Sequence, residues 1–276
     1  PRQEAVLKEY NSGVLTRLSV SIEVEDFALL TYRVPAERVR EHLPEVYTLQ
    51  THEHDGEELC FVTTTCFRNR DFRPTATSVP RHTFYESTYR TYVDFGGLHG
   101  VYFLGRYLET APAYLAQRAI ARDTFKADFD VRIDKDENGY RRFECHATGP
   151  SGETSFSVTA TDEPAAKEPW TSGEEHAQFL TFRPIGCFTS SVGLQMRGRV
   201  DHARMHPWEG RLNGTPKLEL WEKLGILSRR EATEPYSVLI TEGTRFFLYP
   251  PVPVTATGEV PPEGVSGGPK GAPDRT

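Results

Sequence analysis

Glu86, Thr88, Arg90 and Tyr92 stand at alternate positions of one strand-like run, Phe84-Tyr85-Glu86-Ser87-Thr88-Tyr89-Arg90-Thr91-Tyr92-Val93. A strand turns successive side chains to opposite faces, so these four share one face, and Tyr85, Ser87, Tyr89, Thr91 and Val93 share the other. A face carrying Glu, Thr, Arg and Tyr lies either on solvent or in a polar cavity. Glu86 and Arg90 are separated by roughly 13 Å of extended chain, so they form no close ion pair and each needs another partner when buried. Arg90 can anchor a substrate carboxylate, which a guanidinium grips through two parallel hydrogen bonds. Glu86 can pass a proton to or from a carbonyl or enol once burial tunes it. Thr88 and Tyr92 would then contact the substrate, with Tyr102 from the next aromatic strand. The plain alternative is that Glu86 and Arg90 each bond a neighbouring strand.

The histidines offer less. His99 sits in the turn Gly96-Gly97-Leu98-His99-Gly100 at the end of the key strand, where it can act as a lid or proton donor or be a simple turn residue. His202 and His206 are four apart with Asp201 before them, a metal-ligand spacing on a helix, but Pro207 opposes a helix there and no third ligand is evident. No metal is assigned. His52 and His54 lie beside a hairpin turn and are expected on the surface.

The elements that must position these residues read as a β meander from 20 to 250, preceded by a polar arm (1–19) and followed by a Pro/Gly-rich tail (251–276) expected to be disordered. Phe27–Val34 is a strand, and a short helix starts at Pro35. Asp55-Gly56 joins two strands as a hairpin turn, and Asn138-Gly139 does the same between 126–134 and 140–147. Ser155–Thr161 continues the alternation. Thr110 is placed to cap a helix over 111–122, and Thr215 with Pro216 to start another that stops at Gly225. Leu218, Trp221 and Leu224 then share a core face. Residues 163–178 form a polar excursion or a short helix. The expected fold is mainly β (α+β), an antiparallel meander closing into a barrel or cone-like sheet as a single domain with an internal cavity.

The run from Phe84 to Lys126 joins a Tyr-x-Glu strand to a glycine turn, the aromatic strand Val101-Tyr102-Phe103-Leu104, a helix, and Asp123-Thr124-Phe125-Lys126. Together with His206-Pro207-Trp208, Trp221–Leu227 and Phe246–Pro251, this resembles the YqjF-like family of uncharacterised proteins, similar in turn to acetoacetate decarboxylase. The resemblance covers roughly 20–250. It implies a β-rich cone or barrel around a ligand, and a lyase-like, cofactor-independent enzyme. In acetoacetate decarboxylase a lysine after the helix forms a Schiff base with a β-keto acid, and a neighbouring lysine lowers its pKa. Here Phe125 or Lys126 falls at that position and no second lysine adjoins it. In a strand the two choices point to opposite faces, so Lys126 is either an imine-forming catalytic residue or a solvated surface lysine.

Composition narrows the alternatives. The net charge of −7 and the lack of a Lys/Arg block disfavour a nucleic-acid partner. Cys60, Cys66, Cys145 and Cys187 have no CxxC spacing, which fits free buried thiols in a reducing compartment. No charged-then-apolar leader opens the chain and no apolar run nears the ~20 residues that span a bilayer, so a cytoplasmic protein without a membrane partner is expected. Neither Gly-x-Gly-x-x-Gly nor a Walker loop is present, and no cofactor is expected. A homo-oligomer stays open. Three readings compete: an acid/base enzyme acting on a small carbonyl or keto acid by decarboxylation, aldol addition, dehydration or cyclisation; a non-catalytic binder of a hydrophobic or aromatic small molecule; and a structural or interaction protein.

Overall fold

Short alternating segments bounded by turn residues make this chain a protein of strands with few helices. The computed structural model describes residues 18–254 except 78, 80, 138, 162 and 163. In chain order the elements are β1 (Val20–Pro35), α1 (Ala36–Arg40), β2 (Thr48–Leu49), β3 (Thr51–His54), β4 (Glu57–Pro74), β5 (His82–Phe95), β6 (Leu98–Leu108), α2 (Ala111–Ile120), β7 (Thr124–Lys126), β8 (Asp128–Asp136), β9 (Gly139–Gly149), β10 (Gly152–Ala160), α3 (Gly173–Thr181), β11 (Ile185–Thr189), β12 (Gln195–His202), β13 (Trp208–Leu218), α4 (Glu219–Lys223), β14 (Ser237–Leu248) and β15 (Val252–Pro253).

Hydrogen bonding runs β4-β1-β14-β12-β11-β6-β5 and returns to β4, so the strands close a ring. Closure leaves the ring strands paired on both sides. The pairings are antiparallel except β11 and β7, which both lie parallel to β6. From β14 the sheet continues through β13, β10 and β9 to β8, forming a second layer. Between ring and layer sits one core, which includes Leu30, Tyr32, Tyr89, Phe143, Val158 and Trp221. Trp221 is fully buried; its Nε1 donates to Thr64 Oγ1 at 2.8 Å and its ring meets Tyr89 edge-on at 5.0 Å. A second core lies inside the ring, where Ala177 and Leu180 of α3 plug one end against Leu29, Phe61 and Tyr92.

The hairpin at Asp55-Gly56 forms as expected, with positive φ at both residues (50° and 79°). Asn138 lies outside the described residues, though β8 and β9 pair around it. The expected helix from Thr215 is corrected: residues 215–218 belong to β13, paired with β10, and only Glu219–Lys223 is helical. Strand pairing there outweighs the Thr-Pro start signal. Thr110 precedes α2 but its hydroxyl makes no capping bond. His52 is half-buried and stacks on Phe61 at 4.6 Å rather than lying free on the surface. Val252–Pro253 pairs with β12, beyond the boundary read at 250; residues 1–17 and 255–276 of the expected arm and tail lie outside the described residues. All four cysteines are free and buried. Among the described residues no helix is long and apolar enough to cross a membrane.

Bulges decide which residues look into the ring. In β1 the register slips between Glu25 and Ala28 around Asp26 (φ 52°), so the inward series Val20, Ile22, Val24 continues at Phe27. In β4 a slip after Asn69, with Asp71 at φ 53°, turns the series Phe67, Asn69 into Phe72, Pro74. Gly243 faces the first bulge at φ 89°, where a Cβ would sit 2.0 Å from the Val24 carbonyl oxygen. Gly243→Ala is expected to destabilise the protein by about 1–3 kcal/mol from backbone strain alone, with the overlap adding to that. An unchanged urea midpoint would show that the close approach of β1 and β14 is dispensable.

Candidate functional site

The ring interior that α3 leaves unfilled is a cavity of about 550 Å³. Its walls are chiefly aromatic and aliphatic, with Phe27, Phe67, Phe84, Phe103, Phe188 and Phe246 among them, and α2 closes one side through Pro112, Ala113, Ala116, Gln117 and Ile120. Exposed Leu18 and Ile120 stand at its rim. Into this apolar space β5 projects Phe84, Glu86, Thr88 and Arg90.

Glu86 accepts a hydrogen bond from Asn69 Nδ2 at 2.9 Å, and among the described residues no cation lies within 4 Å of it. Burial raises its pKa; the Arg106 charge and the Asn69 bond oppose this without cancelling it. A carboxyl so placed favours its protonated form more than an exposed glutamate does. Thr88 Oγ1 shares a hydrogen bond of 2.7 Å with Thr65 Oγ1, which fixes the rotamer of the strand's central inward hydroxyl. Arg90 is 9% exposed; its Nη2 donates to the Leu180 carbonyl at 2.9 Å, and its guanidinium lies 6.0 Å from the centre of the Phe27 ring.

Three further arginines line the same cavity. Arg106 lies with its guanidinium 3.6 Å from the centre of the Phe103 ring, and its side chain makes no hydrogen bond or ion pair with any described residue. Burial lowers its pKa, the Glu86 charge opposes this, and Arg90 lowers it further by repulsion. Arg183, just after α3, donates from Nε to the Phe179 carbonyl at 2.8 Å and stacks on the Phe179 ring at 3.9 Å. Burial, with a smaller contribution from Arg90, brings its pKa down to about 10 although Tyr92 opposes the shift. Arg199 differs: its Nε and Nη2 meet the two Asp201 carboxylate oxygens at 2.7 and 2.6 Å. His202 completes the wall, stacked on Phe246 at 4.2 Å, with burial holding its pKa down.

Of the seven residues expected from the sequence to act in catalysis or substrate binding, Glu86, Thr88 and Arg90 therefore come together, and four do not line the cavity. Tyr92 lies on the same strand face but beneath α3, fully buried, with its hydroxyl 2.9 Å from Thr63 Oγ1. Tyr102 points to the other side of β6 and bonds Thr189 Oγ1 at 2.7 Å. His99 is on the surface with Nδ1 2.5 Å from Asp94 Oδ1. Lys126 extends from β7 towards solvent, where its Nζ is 3.2 Å from Asp128 Oδ1, and no lysine is among the described residues lining the cavity.

Sequence reading missed Asn69, Arg106 and Arg183. Arg106 is inward because β6 bulges at Leu104: Tyr89 pairs Gly105 but Arg90 pairs Phe103, so the inward series Val101, Phe103 resumes at Arg106 and Leu108. A glycine inside an aromatic strand, Gly105, is the one local sign of such a bulge. Arg183 carries no such sign, since its place depends on how α3 docks.

This architecture is similar to solved structures of acetoacetate-decarboxylase-like enzymes. An enduracididine biosynthesis enzyme, MppR, complexed with pyruvate is 11% identical with a TM-score of 0.56, over 86% of this chain and 91% of that one. An acetoacetate decarboxylase-like enzyme from Sphingomonas wittichii RW1 is 11% identical with a TM-score of 0.56, over 87% and 93%. A structure of acetoacetate decarboxylase is 13% identical with a TM-score of 0.56, over 85% and 88%. At such identities the likeness is one of fold. No curated protein sequence matches this one. Residues 21–244 match the model of DUF2071, an uncharacterized conserved protein family, and the chain belongs to that family.

Proposed function

We propose that this protein is a cofactor-independent acid/base enzyme that forms an enolate from a small carbonyl acid inside the ring, without an imine. The observation that carries this reading is a single carboxyl whose proton burial holds more tightly than that of an exposed glutamate, Glu86, sharing an apolar cavity with the guanidinium groups of Arg90, Arg106 and Arg183. In such a reaction either the C–C bond to a substrate carboxylate breaks with loss of carbon dioxide, or the ionised Glu86 carboxylate takes the proton of a C–H bond next to the carbonyl, and in each case the electron pair moves onto the carbonyl oxygen. A guanidinium stabilises that developing charge strongly in a cavity of low polarity. Protonated Glu86 then delivers its proton to the carbanionic carbon and recovers one from solvent. A second guanidinium holds the substrate carboxylate. Lysine chemistry is left out because Lys126 engages Asp128 at the surface.

The phenylalanine lining also favours a second reading, a non-catalytic receptor for a hydrophobic or aromatic small molecule. Turnover separates the two. With a panel of short oxo acids, the enzyme reading expects exchange of the hydrogens beside the carbonyl for deuterium, or release of carbon dioxide, both read by NMR. Glu86→Gln should lower that rate by about 10²-fold or more while ligand binding persists, and Lys126→Ala should leave it unchanged. Borohydride should trap no adduct; a trapped adduct on any lysine, or loss of turnover in Lys126→Ala, sinks the imine-free mechanism. Binding without turnover of any oxo acid leaves the receptor.

A pH-dependent stability follows from the same carboxyl. The Glu86 pKa is raised in the folded chain, so as pH climbs the unfolded chain gives up this proton first and folding loses stability. Glu86→Gln removes that loss and keeps an acceptor for Asn69. Its melting temperature relative to wild type should be unchanged below the usual carboxylate pKa and should rise progressively towards neutral pH. A pH-independent difference would mean that the Glu86 carboxyl is ionised as readily in the cavity as in water.

A further inference from the structure

The four cavity arginines are not treated alike. Arg199 has a carboxylate of its own, Asp201, held through two hydrogen bonds. Arg90 and Arg183 are given only neutral carbonyl oxygens, those of Leu180 and Phe179, and Arg106 is given a phenylalanine face. Glu86, the one carboxyl among the lining residues, is engaged by an amide instead of a guanidinium. Arg90 Nε, Arg106 Nε and Arg183 Nη2 are buried without a hydrogen-bond partner. Three like charges within an apolar enclosure repel one another and lose hydration, a cost that fixed carbonyl dipoles only partly offset. One carboxylate on a ligand neutralises one of them.

We propose that the ligand of this cavity carries a doubly negative head group, such as two carboxylates, facing Arg90, Arg106 and Arg183, on an apolar or aromatic body that fills the phenylalanine-lined remainder. The inference rests on the cavity being the functional site proposed above and adds the charge and shape of what enters it. Two negative charges set against three guanidiniums leave at most a single positive excess. A volume of about 550 Å³ encloses a head group together with a chain or ring of drug-like size. The apolar rim at Leu18 and Ile120 gives the far end of that body a place to emerge.

Calorimetric titration at pH 8 and low salt with octylmalonate, nonanoate, octyl phosphate and nonanol tests this. Octylmalonate or octyl phosphate should bind at least about tenfold tighter than nonanoate, and nonanol weakest; which dianion leads distinguishes a dicarboxylate from a phosphate monoester. Arg183→Gln should reduce the dianion advantage to about threefold or less while nonanoate affinity changes little. Arg106→Gln serves as a second variant if Arg183→Gln does not fold. Equal affinity for nonanoate and both dianions, or a dianion advantage that survives in a folded Arg→Gln variant, overturns the proposal. Absence of turnover bears only on the enzymatic reading, because these ligands are measured by binding alone.

Discussion

A strand can show a given face only every second residue, and a closed ring has only one inside. Each inward series must therefore be kept in phase around the whole circumference or corrected where it drifts. In this protein the correction is made by single extra residues at Asp26 in β1, after Asn69 in β4 and at Leu104 in β6. Everything at the site depends on these slips. Without the one at Leu104, Gly105 would face the cavity where Arg106 now stands, and the surrounding wall would lose one of its charges. Each slip also sharpens the local twist, which helps a small number of strands curve far enough to meet.

The same slips mark where sequence reasoning stops. The even-numbered face of β5 was legible because β5 has no bulge between Glu86 and Arg90, so period-two alternation holds along it. The aromatic strand after it was legible as a strand but not in phase: Tyr102, read as a cavity residue, points away, and Arg106 replaces it. The turn at Asp55-Gly56 could be read locally because its geometry is a property of those two residues. The segment at Thr215-Pro216 could not, because its conformation is set by β10, more than fifty positions earlier in the chain. Lys126 was the position left with two faces open, and the parallel pairing of β7 with β6 sends its ammonium outward.

Charge and packing are coupled inside the ring. Each cavity guanidinium rests on an aromatic face, Arg106 on Phe103 and Arg183 on Phe179, so the same rings that make the space apolar also hold the cations in place. Arg90 is tied to Leu180 of the helix that plugs the ring, and Tyr92 below it reaches the same carbonyl at 3.4 Å. The deep end of the site is thus built on the plug, and the orientation of Arg90 is inseparable from how α3 seats.

The opposite wall has a different character. None of the residues of α2 is fully buried, and Leu115 on it is 64% exposed. Its few anchors are at its end, where Ala119 and Ile120 accept hydrogen bonds from Ser191. Because none of its own residues is fully buried, lifting this helix breaks few contacts of its own, and the free energy of a local excursion there is separate from the cooperativity of the sheet. Exchange of molecules with the interior can then be fast while global unfolding stays slow. One protein can hold two separate timescales because its enclosure is made of two unequal materials.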